Sequence, residues 1–175
     1  MSTWFTSDSH FYHDNILKYC PNRGMIWKNA DEMNEGLIKK WNSKVKKNHT
    51  TFHLGDICFG DSSILDRLNG KIILIKGNHD RSDILNCGRF ESIHNYLEIK
   101  LNKKLISLCH YKMECWRNSH YPNSLHFYGH SHATRNGDSQ CCDVGVDMEY
   151  TNYSPVSLEE IEEFLKTQPE RKKVF

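Results

Sequence analysis

The ten residues Lys71–Asp80, KIILIKGNHD, limit the possible folds of this 175-residue chain more than any other stretch. Ile72, Ile73, Leu74 and Ile75 form an unbroken apolar run, largely β-branched, the pattern of a strand buried on both faces. The run breaks at once into Gly77, Asn78, His79 and Asp80. Glycine lets the backbone turn sharply or approach closely, and three side chains able to bind metal or move protons follow it. In open α/β sheets, chemistry collects beyond the carboxyl ends of strands. The segment therefore points to an active site built at strand ends. The plainer reading is a polar turn that closes a core strand, and the tetrapeptide alone does not separate the two.

The same design recurs along the chain. Ser2–Thr6 has strand propensity and leads into Ser7-Asp8-Ser9-His10. Asp8 and His10 are two apart, so an extended backbone would turn both to one side. Thr50–Leu54 breaks into Gly55-Asp56, Lys104–Leu108 ends in Cys109-His110, and Leu125–Tyr128 runs into Gly129-His130-Ser131-His132. Asn102-Lys103, between the alternating segments His94–Ile99 and Lys104–Leu108, predicts a hairpin.

Helices separate these strands. Asn29 with Glu32 has capping-box spacing, ahead of Met33, Leu37, Ile38, Trp41 and Val45 at helical intervals. Ser157 with Glu160 opens a last helix with Leu158, Ile161, Phe164 and Leu165 on one face. Short helices are expected over His13–Tyr19, after Asp61 or Ser62, and over Asp83–Asn86. Pro21–Lys28 reads as a loop, Tyr111–Ser124 as a surface loop or lid, and Cys142–Val146 as the last strand. The alternation says α/β. No linker or repeat divides the sequence, so one domain over residues 1–175 is expected.

Composition narrows the function. Lys and Arg number 23 against 22 Asp and Glu, and no long basic run exists, so no extended nucleic-acid surface is indicated. Arg171-Lys172-Lys173 reads as a solvated tail. The seven cysteines form no CxxC pair, which fits reduced thiols and a cytoplasmic protein. No basic-then-apolar leader and no membrane-length apolar run is visible, so no membrane partner is expected.

The strand ends collect Asp8, His10, Asp56, Asn78, His110, His130 and His132. Two carboxylates, an amide and four imidazoles form a mixed nitrogen and oxygen set. That set suits manganese, iron, zinc or nickel better than calcium or magnesium. It exceeds one tetrahedral ion and matches two ions sharing a carboxylate.

The series DSH, GD, GNHD, a lone histidine after a strand, and GHSH resembles the calcineurin-like metallophosphoesterase family, and most closely its compact bacterial and phage members. The likeness covers Asp8 to His132. It implies a four-layer α-β-β-α sandwich of two mixed sheets. It further implies one divalent metal on Asp8, His10, Asp56 and His132, and a second on Asp56, Asn78, His110 and His130, with manganese expected first. His79 and Asp80 become the catalytic residues, His79 over the substrate as acid or charge stabiliser and Asp80 orienting it. The protein phosphatases of the family carry an Asp-Arg pair shortly after the GD motif, whereas here Ile57-Cys58-Phe59-Gly60 follows. That counts against a phosphoprotein substrate. The third histidine motif reads CHYK, a departure from the more usual small residue, histidine and proline.

The implied activity is metal-dependent hydrolysis of a small, nucleotide-type phosphodiester. A phosphomonoesterase acting on a nucleotide or sugar phosphate is the enzymatic alternative, and a non-catalytic scaffold would be marked by lost ligands. Arg23, in the loop near the first motif, is the candidate cation for substrate phosphate, beside Asn78 and His79. His126 has the strand parity of His130 and is a candidate support for the site. Trp116 and Tyr12 are candidates to stack on a base.

Overall fold

In the computed structural model, which describes residues 2–172, two mixed sheets pack face to face. The first sheet contains β1 (Thr3–Thr6), β2 (Thr50–His53), β3 (Lys71–Ile75) and β4 (Phe90–His94), all parallel. The second contains β5 (Tyr96–Leu101), β6 (Lys104–Cys109), β7 (Ser124–Tyr128) and β8 (Cys141–Asp143). There β5 is antiparallel to β6, and β6, β7 and β8 run parallel. A two-residue strand, β9 (Val156–Ser157), returns antiparallel to β1 and completes the first sheet in the order β4-β3-β2-β1-β9.

Register decides where the polar turns emerge. Thr6 pairs with His53, and His53 with Leu74, so β1, β2 and β3 end level with one another. In the second sheet Leu108 pairs with Phe127, and Tyr128 with Asp143. Beyond the strand ends a parallel bridge joins Ser7 to Gly145, with the Val146 N–H donating to the Ser7 carbonyl at 3.1 Å. This bridge ties the two sheets together at their common carboxyl end.

The two faces of β3 are both covered, as its apolar run predicts. Ile72 and Leu74 meet a helical layer built from α1 (Ile16–Tyr19), α2 (Pro21–Ile26), α3 (Ala30–Lys44), a 3₁₀ turn at Ser62–Arg67 and α4 (Ser82–Leu85). The buried side of α3 is the expected one: Met33, Leu37, Ile38 and Trp41. Asn29 caps it by accepting the Glu32 N–H at 2.9 Å, worth about 1 kcal/mol. The Glu32 carboxylate reaches one residue further than a capping box requires, to the Lys28 N–H. Between the sheets lie Phe5, Phe52, Leu54 and Ile75 from one side and Ile106, Leu108, Leu125 and Phe127 from the other. The Phe5 and Phe127 rings meet edge to face at 5.1 Å. Helix α5 (Leu158–Leu165) adds Leu158, Ile161 and Leu165 to this core and begins with the full Ser157/Glu160 capping box.

The 111–123 loop packs on the outer face of the second sheet. Trp116 packs there on Tyr128 and Cys141. Arg171 lies over the Trp116 ring at 4.0 Å and pairs with Asp138 at 2.7 Å. Arg171 is therefore a fastening, not solvated tail; Lys173 lies outside the described residues. Trp116 and His126 are corrected with it. His126 is buried on this outer face between the Ser107 carbonyl (3.0 Å) and the Met113 N–H (3.0 Å), so neither residue takes part in the site. Two further expectations change. Pro21–Ile26 is a helix with its proline in the first turn, where a missing N–H does no harm. His94 ends β4, and the chain switches sheets at Asn95 before the hairpin. The hairpin turn is as expected, with Asn102 and Lys103 both at positive φ. Among the described residues no helix is long and apolar enough to cross a membrane, and all seven cysteines are free thiols.

Two histidines within the strands are buried uncharged. Burial lowers His53, beneath Trp41, to about 3, and His126, against Trp116, to about 4. The unfolded chain binds protons at these residues near pH 6.5, while the folded chain refuses them until those lower values. Stability is thus expected to fall as pH drops from about 6.5 towards 4. Thermal melts across that range check this, and a flat profile would contradict the buried neutral assignment.

Candidate metal centre

The turns that leave β1, β2 and β3 are zipped to each other by backbone bonds. The Asp8 N–H donates to the Gly55 carbonyl, His10 to Asp56, and Phe11 to Ile57, each at 3.0 Å. Asp80 fastens the third turn to the second. Its buried carboxylate accepts the N–H groups of Asp56 (3.0 Å), Ile57 (2.9 Å) and Gly77 (2.8 Å). Gly77 is needed for proximity: a Cβ there would collide with the Asp56 carboxylate. Gly129 is needed for the same reason, against Ser7 and Asp8.

These turns bring all seven expected donors to one end of the sandwich. The backbone is not the extended one that the D-x-H and H-x-H spacing suggests. Asp8, His10, Asp56, His130 and His132 all have φ between 44° and 65°. For non-glycine residues that left-handed conformation is strained and concentrates at functional positions.

The donors form two groups whose ligand atoms lie within 4.8 Å of one another: Asp8, His10 and His132, and Asp56, His110 and His130. Asp56 Oδ2 faces both, 3.8 Å from His10 Nε2 and 3.4 Å from His110 Nε2. Its other oxygen accepts the His79 N–H at 2.8 Å. Asn78 Oδ1 lies 3.0 Å from His110 Nε2. Asp8 Oδ2 accepts the His130 N–H at 2.8 Å, while Asp8 Oδ1 faces His10 Nε2 at 3.8 Å.

Those last two atoms, Asp8 Oδ1 and His10 Nε2, are buried without any hydrogen-bond partner. Burial and the nearby Arg23 charge hold His10 far below its usual protonation range, so no proton fills the gap from that side. Burial pushes the Asp8 carboxyl up to about 7, the response of an acid deprived of a counter-ion. Burial also raises Asp56, but bonding to His110 outweighs it and brings the carboxyl down to about 2. Buried lone pairs facing each other in this way fit a cation.

The histidines are oriented from behind. Nδ1 of His110 is 2.6 Å from the Leu54 carbonyl, Nδ1 of His132 is 2.7 Å from Asp147 Oδ2, and Nδ1 of His10 is 3.3 Å from His13 Nδ1. Each leaves Nε2 for the centre, the arrangement of metal-binding histidines held by outer partners.

Two sequence expectations need correction. Arg23 is wholly buried, with its guanidinium bonded to Asp147, the Asp8 carbonyl and the Ser9 carbonyl, so it does not reach substrate. Asp80 does not orient His79 either, because three backbone N–H groups occupy its carboxylate; its role is to set the loops. His79 itself is exposed, its ring 5.2 Å from Phe59 and 6.0 Å from His10. Asn78 is exposed beside it. Tyr12 stands at the rim, 38% exposed.

Sequence reasoning passed over Asp147 and Tyr111, and it left His13, three residues after His10, between the site and a helix surface. His13 stacks on Phe59 at 4.1 Å, and Tyr111 meets His110 and His130 edge to face. Asp147 had a signal: Gly145-Val146-Asp147 follows a strand much as Gly55-Asp56 does.

Residues 1–146 match the calcineurin-like phosphoesterase superfamily domain. The chain belongs to this superfamily. An uncharacterised protein of Methanocaldococcus jannaschii is 33% identical over 165 residues, which cover 89% of this chain and 86% of that one. The Gene 66 protein of Mycobacterium phage L5 is 38% identical over 90 residues, 45% of this chain and 40% of its own. A protein of unknown function from Aquifex aeolicus, AQ665, shares the fold with a TM-score of 0.72 at 26% identity, covering 93% of this chain and 98% of that one. The family is metal-dependent, and the donor groups described here fit it: the chain is a metal-dependent phosphoesterase.

Replacing Asp56 with Asn is expected to lower bound metal in both donor groups, read by elemental analysis after dialysis. Asp80→Asn is expected to lose about 1–3 kcal/mol of stability, because N–H groups lose a charged acceptor in a buried place. Denaturant unfolding measures it, and an unchanged midpoint would remove Asp80 from its role.

Proposed function

We propose that the chain is a dinuclear phosphodiesterase acting on a small, nucleotide-type diester with two divalent transition-metal ions, manganese foremost. The observation that carries this reading is Asp56 Oδ2, set between His10 Nε2 and His110 Nε2, where a carboxylate shared by two ions would stand. One ion would rest on Asp8, His10, Asp56 and His132, the other on Asp56, Asn78, His110 and His130. Bound there, the ions would polarise phosphoryl oxygens, lower the pKa of the attacking water and offset charge on the departing oxygen.

The chain's own groups do the remainder. His79 stands exposed at the mouth, tethered through its N–H to Asp56, where its ring can give a proton to the leaving oxygen. Asn78 offers an amide where another carboxylate would add negative charge against the substrate. The preference for a diester rests on charge. Arg23 is committed to Asp147, and the rings at the rim include His13, Phe59 and Tyr111. Burial, then the charge of His79, lowers the His13 pKa, which favours its neutral form. A rim of this kind suits the single charge of a diester better than the double charge of a monoester.

Manganese-stimulated hydrolysis of a bis(aryl) phosphate, faster than that of the aryl monophosphate, is the expected result. The reverse order of rates would assign a phosphomonoesterase. Absence of turnover with any divalent metal in folded protein would sink the enzymatic reading. His79→Ala is expected to keep its metal and lose about 10²–10⁴-fold in turnover; loss of metal would instead make His79 a ligand.

A further inference from the structure

The cation that the sequence offered to substrate is buried behind the metal centre. The Arg23 guanidinium has no exposure, yet it lies beside a site built to hold cations. Its Nε bonds Asp147 Oδ1 at 2.6 Å and its Nη2 bonds Asp147 Oδ2 at 2.7 Å. Nη2 also donates to the Asp8 carbonyl at 2.6 Å, and Nη1 to the Ser9 carbonyl at 3.1 Å. Asp147 Oδ2 in turn accepts Nδ1–H of His132 at 2.7 Å.

We propose that Arg23 and Asp147 form a positioning pair for one donor group only, that of Asp8, His10 and His132. The proposal rests on the metal-centre reading above. One guanidinium fixes the backbone on which Asp8 and His10 stand, and through Asp147 it fixes the ring of His132. Only the planar fork of arginine reaches a carboxylate bidentately and two carbonyls at once. A carboxylate on Nδ1–H sets the tautomer that leaves the Nε2 lone pair free, and makes that nitrogen a better donor. The Asp147 charge also neutralises Arg23, which would otherwise repel a bound ion.

The other donor group has no such support. His110 rests on a neutral carbonyl, that of Leu54. Among the described residues neither Arg23 nor Asp147 bonds directly to Asp56, Asn78 or His130, and the one bond to that group from Asp8, at 2.8 Å, comes from the His130 backbone and not from its ring. The pair should therefore act on one metal affinity and spare the other. A pair that merely stabilised the fold would not discriminate. Cys20, at 3.8 Å from Asp147, completes a third cluster of donor types with His132. The bidentate bond of Asp147 to Arg23 makes that cluster a support, not a separate metal site.

The test is calorimetric titration of apo-protein with manganese, for wild type, Asp147→Asn and the double variant Arg23→Gln/Asp147→Asn, each with its melting temperature. Asp147→Asn is expected to weaken one of two binding events by about 10–100-fold and leave the other within a few-fold. The double variant removes both buried charges together. It is expected to recover melting temperature relative to the single variant while its affinity stays low. Wild-type affinity in the folded double variant would overturn the proposal, and so would equal weakening of both events. In zinc-loaded wild type, a downfield hydrogen-bonded Nδ1–H resonance assigned to His132 is expected. Its absence overturns the pair without needing any variant to fold. If wild type binds no divalent ion at all, the metal-centre reading itself fails, an outcome distinct from loss of the pair.

Discussion

The site depends on what one carboxylate does with three amide groups. Asp80 draws the N–H groups of Asp56, Ile57 and Gly77 onto itself and so locks the turn after β3 against the turn after β2. Asp56 cannot drift, because its N–H, its carbonyl and one carboxylate oxygen are all engaged. The remaining oxygen is left facing His10 and His110. Without that lock the parallel strands would still end level, but the donor they deliver between the two groups would have no fixed direction.

Charge is arranged on the same plan. Asp8, Asp56 and Asp143 are buried at one end of the sandwich, an arrangement that repels itself. Part of the repulsion is relieved locally, with Asp143 accepting the Gly145 N–H and the Ser131 hydroxyl. The rest is answered by histidine. Burial disfavours the charged form of His132, but the Asp147 bond outweighs it and lifts the pKa to about 10; His110 is raised in the same way by Asp56. The protein therefore carries positive charge close to where cations belong, and a metal arriving there competes with protons.

Much of this was visible in the residues. Long or strongly patterned elements could be read directly: α3 from its apolar spacing and Asn29 cap, α5 from its capping box, and β3 from a run too apolar to face water. The candidate metal donors were legible because each follows a strand, whatever the backbone does afterwards. Short elements were not. Six residues of α2 and two of β9 carry no periodicity, and β4 and β5 adjoin so closely that one strand was inferred where the chain changes sheets. Partnership was the least legible property. Arg23 and Asp147 are 124 positions apart, so nothing local distinguishes this cation from a solvated one. Asp80 beside His79 suggested a dyad, and only the fold reveals that backbone amides claim the carboxylate first.

The left-handed backbone at Asp8, His10, Asp56, His130 and His132 has an evolutionary consequence. Each such residue holds a conformation that disfavours side chains by roughly 1–2 kcal/mol and that glycine adopts freely. These candidate donors therefore work against local stability, and an accidental change to glycine at any of them would relieve strain while removing the side chain. Selection for stability alone would erode this centre, so its metal-dependent function has to maintain it. A descendant freed from catalysis would be expected to lose these residues early and to melt at a higher temperature for having done so.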